Sequence, residues 1–186
     1  MEQTVKQTRR SRWSWYFYDF GNSAYASVVL LAVYSAFFKN AVVGGAEGTR
    51  LWGIAVGVAA ILVAIISPVL GTIADFSRSK KKLLLIFSAM AIIFTGLLFF
   101  VRNDNTFLDG RFNVIFGMVF FILADIGYRA AQVFYDALLV DVSTPKTIGS
   151  VSGKGWAVGM IGGIICLLIV LFPIQTIGNS FIPYAF

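Results

Sequence analysis

Four polar residues stand out in an otherwise apolar stretch: Asp125, Arg129, Gln132 and Asp136. Their spacing is i, i+4, i+7, i+11. At about 100° per residue, that places all four on one narrow stripe of a helix. Asp125 and Arg129 can pair directly, which lowers the cost of burying either one. Two roles fit. The stripe can line a water-filled cavity, where Arg129 attracts an anionic group and a carboxylate exchanges protons, or the ion pair can simply fix helix packing. A second group, Asp19, Asn22 and Ser23 with Tyr18 and Tyr25 beside it, shares one face further upstream. It reads either as the wall or gate of a cavity, or as an interfacial aromatic belt with a snorkelling aspartate.

Other chemistry is excluded by residue type. The chain has no histidine and one cysteine, Cys166, inside an apolar run. A zinc site, a histidine-based triad and a disulfide framework are therefore out of reach of these residues. No nucleophile elbow is present. The expectation is no catalytic residue, no metal and no cofactor.

The elements that must hold these stripes are membrane spans. Of 186 residues, 58% are hydrophobic and only 13% are charged, against roughly 25% charged in soluble domains. A helix crosses the hydrocarbon core in about 20 residues. Five segments qualify, at 13–38, 51–74, 83–101, 112–140 and 149–172, so the fold class is an all-α polytopic membrane bundle. Burying a charge at mid-membrane costs about 3 kcal/mol, which is why the two polar stripes are the candidate functional residues.

The net charge is +6, but the basic residues sit in short loops and tails, so nucleic-acid binding is rejected in favour of a lipid bilayer. Lys6, Arg9, Arg10, Arg12, Arg78, Lys80, Lys81, Lys82, Lys146 and Lys154 fall on one side. Lys39, Arg50, Arg102 and Arg111 fall on the other. This asymmetry predicts a cytoplasmic tail at 1–12. It also puts 173–186 on the outer side, as the start of a sixth span that is missing. The stretches 40–50 and 102–111 read as outer turns.

Small residues mark packing faces. Gly53, Gly57 and Gly71 recur on one stripe of the second span, and Gly155, Gly159, Gly162 and Gly163 on the fifth. Such stripes let another backbone approach closely. In the loop after the second span, Asp75 stands in an otherwise basic turn with Arg78 and can cap a helix or pair with a nearby cation.

Three stretches resemble the Atg22/UMF1 branch of the major facilitator superfamily. They are Trp15-Tyr16-Phe17-Tyr18-Asp19-Phe20-Gly21-Asn22-Ser23-Ala24-Tyr25, Phe134-Tyr135-Asp136-Ala137-Leu138-Leu139, and the run from Ser152 through Gly155-Trp156 to Gly162-Gly163. The turn from Gly71 to Asp75 resembles the superfamily's loop between spans two and three, with Phe76 and Arg78 where a basic residue and a glycine are usual. Arg129-Ala130-Ala131-Gln132 is similar to its Arg-x-x-Gln signature, with Val133 in place of the following glycine.

The resemblance implies a twelve-span fold of two six-helix halves with the site between them, of which this chain is an incomplete N-terminal half. It implies membrane transport of a small solute, such as efflux of an amino acid or related metabolite. Asp19, Asn22, Asp125, Arg129 and Gln132 would form the substrate cavity, with a proton coupled through Asp125 or Asp19. Asp75, Arg78 and Asp136 or Asp141 would form a cytoplasmic gate. The partner is expected to be the missing C-terminal half or another membrane protein, and a truncated chain is expected not to transport alone. The alternative is a non-transporting membrane subunit that packs against a partner. The expected location is the bacterial inner membrane in preference to the vacuolar membrane.

Overall fold

A computed structural model describes residues 2–76, 79–101 and 110–181, with side chains at 9–76, 79–101 and 111–175. Among the described residues five helical spans are long and apolar enough to cross a membrane: Arg9–Val43, Gly45–Phe76, Lys80–Phe100, Arg111–Val142 and Ile148–Gln175. The five expected spans are therefore present, with different ends.

The first span changes helix type along its length. It is α-helical over Glu2–Ala24, π-helical over Tyr25–Ala32, α-helical over Val33–Phe37 and π-helical again over Phe38–Val43. The expected turn at 40–50 shrinks to one point. Gly44 and Gly45 take φ of 86° and 61°, which glycine adopts without steric cost, and the second helix starts at once. Gly48 then sits against the Lys39 carbonyl, leaving no room for a Cβ.

The third helix, Lys80–Leu97, closes with a 3-10 turn at Leu98–Phe100. Within 102–111, the expected outer turn lies outside the described residues at 102–109. A Thr144–Thr147 hydrogen-bonded turn leads into the fifth helix, with Thr144 N–H donating to Thr147 Oγ1 at 3.0 Å. That helix, Ile148–Phe181, carries Pro173 inside it and runs on past residue 172. Of the expected outer tail, 182–186 lie outside the described residues.

The fourth span is the hub. It packs on the second and third spans along its length and on the first over a shorter stretch, while the fifth lies on the first. Phe121, Ala124, Ala130, Ala131 and Phe134 of the fourth span are fully buried. Large apolar side chains such as Ile65, Ile92, Phe99, Val140 and Ile169 stay exposed. This suits a bundle solvated by hydrocarbon, where close packing replaces the hydrophobic effect as the force between helices.

The fifth span's glycines sit against a partner. A Cβ on Gly155 would run into Trp15, on Gly159 into Asp19 and Ser23, on Gly162 into Phe20 and on Gly163 into Ser27. On the second span, Gly53, Gly57 and Gly71 face open space. Beyond Gly48, the buried residues there are Ala55, Ala59, Val63, Leu70 and Ala74, so a second set of small residues meets the fourth span. Gly127 makes another close approach, its missing Cβ 2.8 Å from the Ala91 amide nitrogen and 2.9 Å from the Phe87 oxygen.

Candidate functional site

The polar stripe of the fourth span is bonded in two i, i+4 pairs. Arg129 Nε donates to Asp125 Oδ2 at 2.7 Å. Asp125 is fully buried, while the Arg129 side chain keeps a third of its surface exposed. Gln132 Nε2 donates to Asp136 Oδ1 at 3.3 Å. Arg129 is thus held by a carboxylate one turn away, which leaves its charge locally compensated.

The first span joins this stripe in a fixed antiparallel register. Arg12 Nε donates to the Val142 carbonyl at 2.8 Å. Trp15 Nε1 donates to the Tyr135 carbonyl at 3.0 Å, and its ring stacks on Tyr135 at 4.3 Å. Asn22 Nδ2 donates to Gln132 Oε1 at 3.0 Å. Tyr25 stacks on Tyr128 at 4.7 Å. From Arg12 through Trp15 and Asn22 to Tyr25 the partners run back from Val142 through Tyr135 and Gln132 to Tyr128, so the four anchors fit one antiparallel register. Asp19 lies within this interface, only 8% exposed, under the small face of the fifth span at Gly159.

Of the residues expected to form a gate, Asp75, Asp136 and Asp141 are described. Asp141 pairs with Lys80, Nζ to Oδ2 at 3.3 Å, and Lys80 also donates to the Ala137 carbonyl at 3.3 Å. Asp75 is exposed at the end of the second span, and Arg78 lies outside the described residues. Asp136 belongs with Gln132 in the stripe. Lys80 was not singled out in advance; its position as the first residue of the third helix, pointing back at the end of the fourth, is the signal that marks it.

A cavity of about 580 Å³ opens between the first and third spans, lined among others by Tyr18, Asn22, Tyr25, Ser88, Thr95 and Tyr128, with Cys166 at its margin. Asn22 alone of the expected cavity residues lines it. Tyr18 and Ser88 share a hydrogen bond of 2.7 Å across it. The hydroxyls of Tyr25, Tyr34, Thr95 and Tyr135, and Asp125 Oδ1, are buried without a hydrogen-bond partner among the described residues. Among the described residues no group of three or more His, Cys, Asp or Glu side chains is placed to hold a metal.

Comparison with known proteins gives two results. The family model described as "Vacuole effluxer Atg22 like" matches residues 51–182. The chain is also 33% identical over 183 residues to the Bacillus subtilis (strain 168) protein named "Uncharacterized MFS-type transporter YxiO". That match covers 96% of this chain and 41% of the relative, so the chain spans about two fifths of that protein's length. No solved structure matches the chain significantly.

Proposed function

The chain belongs to the Atg22-like vacuole effluxer family, and from that premise we propose that it forms part of a secondary transporter moving a small solute, an amino acid or a related metabolite, across a membrane. It is a multi-pass integral membrane protein, with five spans of sufficient length and apolarity. The carrying observation is the polar seam shared by the first and fourth spans, where Asn22, Gln132 and Asp136 are hydrogen-bonded in series and Arg129 is held by Asp125. Ionisable residues at membrane depth concentrate along solute and ion pathways. The seam serves as one wall of the pathway, and the rest of a transporter of the relative's length supplies the other. The open small-residue side of the second span, at Gly53 and Gly57, is the face offered to those further helices. The N-terminus lies in the cytoplasm, on the basic side of the chain.

The test is a chimera in which this chain replaces the matching segment of the Bacillus relative. Cells preloaded with a radiolabelled amino-acid mixture are followed for efflux. The expected result is efflux of at least one amino acid, reduced at least tenfold by Arg129→Met. An inserted, folded chimera that exports none of them would refute the amino-acid reading. Efflux unchanged by a collapsed proton gradient would refute coupling through Asp19 or Asp125.

A further inference from the structure

We propose that Asp19, Asp136 and the hydroxyl of Tyr135 form a subsite for a cationic group, and that its ligand is a primary ammonium group carried by the solute. The register places the three together. Asn22 is bonded to Gln132. From that bond, Asp19 lies one turn back along the first span and Asp136 one turn on along the fourth. Because the two helices run antiparallel, both steps go in the same direction, and at 1.5 Å per residue the carboxylates reach nearly the same level. Tyr135 stands at that level too, stacked on Trp15 and on Tyr18, the latter at 5.2 Å. Asp19 follows Tyr18 and Asp136 follows Tyr135 in the chain, so each carboxylate is borne by the residue next to one ring of that stack.

The charge of this subsite is uncompensated. Arg129 is occupied by Asp125 at 2.7 Å and Lys80 by Asp141 at 3.3 Å. Asp19 and Asp136 have no cationic partner among the described residues. Tyr135 is 3% exposed, and its hydroxyl is buried without a partner. A buried carboxylate is costly until it meets a cation. Asp136, which is exposed, gives an entry, while Asp19 gives depth.

The oxygen count decides the class of cation. Calcium takes about six to eight oxygen ligands, more than two carboxylates and one phenol supply. A primary ammonium has three N–H donors, one for each of these three side chains. The aromatic rings beside them add favourable surroundings for a cation.

This inference rests on the transport reading for the identity of the ligand as a solute, but the subsite is tested by binding. The chain is purified in lipid nanodiscs with Trp13, Trp52 and Trp156 changed to Phe, leaving Trp15 as reporter on Tyr135. It is titrated with methylammonium at constant ionic strength, balanced by tetramethylammonium, which has the charge but no N–H. The expected result is a saturable change in Trp15 emission, weakened about tenfold by Asp136→Asn and by Tyr135→Phe, as for loss of a charge-assisted hydrogen bond, and largely restored by Asp136→Glu. Asp19→Asn is expected to do the same. Should that buried variant not fold, the exposed Asp136→Asn decides alone. No saturable response, an equal response to sodium, or unchanged affinity in Asp136→Asn overturns the proposal. Binding without flux in the chimera leaves the subsite standing and removes the transport reading; flux without binding does the reverse.

Discussion

Neutralising Asp125 alone should destabilise the bundle far more than neutralising it together with Arg129. Asp125 is fully buried, and its Oδ2 accepts from Arg129 Nε at 2.7 Å. Two unit charges about 4 Å apart attract by about 4 kcal/mol at an effective dielectric of about 20, and desolvation takes back much of that. The net worth of the pair is therefore small, whereas removing one member strands the other. Asp125→Asn leaves an unpaired guanidinium, and breaking a buried pair this way costs about 3–5 kcal/mol. Because a third of the Arg129 side chain is exposed and can reach toward water, the lower end, about 3 kcal/mol, is expected. The double variant Asp125→Asn/Arg129→Gln should lose only about 1 kcal/mol. The difference of about 2 kcal/mol between Asp125→Asn and the double variant is about thirtyfold in the unfolding constant. Unfolding by denaturant in mixed micelles, followed by circular dichroism, measures it. A double variant as unstable as the sum of the two single ones would refute the ion-pair account.

Gly159→Val should lower the melting temperature in detergent by several degrees, since its side chain would overlap Asp19 and Ser23 and overpacking costs about 1–3 kcal/mol. Gly53→Ala, facing open space, should leave the melting temperature unchanged or slightly raised, as expected for Gly→Ala in a helix. In a Cys166→Ala background, Asn22→Cys with Gln132→Cys should crosslink in membranes through a short bifunctional reagent, because the parent side chains meet at 3.0 Å; absence of a crosslink would argue against the shared register. In the same background, Lys146→Cys should react with an impermeant thiol reagent only in inside-out vesicles and Arg50→Cys only in right-side-out vesicles, and the reverse pattern would overturn the cytoplasmic N-terminus.

Local features were legible from the chain itself. The Asp125–Arg129 pair is an i, i+4 contact within one helix, so spacing alone dictates it. The five spans follow from length and apolarity. Contacts between helices were less accessible. That Asn22 meets Gln132 depends on the register of two antiparallel spans, which no local pattern encodes. Small residues line more than one face of the second span, and periodicity cannot say whether Gly53 and Gly57 or Ala55 and Ala59 meet the fourth. Gly127 has no glycine one turn away on either side, so no glycine stripe marked its closeness to Ala91. Asp141 pairs with Lys80 because the third helix begins beside the end of the fourth.

The π-helical stretch Tyr25–Ala32 lies just beyond the polar seam of the first span. A π turn holds more residues than an α turn, so it uncouples the angular phase of the helix on either side. The half bearing Asp19 and Asn22 keeps its register against the fourth span, while the half bearing Tyr34 and Phe38 points by a separate rule. A one-residue insertion or deletion within 26–32 would therefore rotate the half that follows and leave the seam in place. Such a segment lets a membrane helix change what one end touches without disturbing the other.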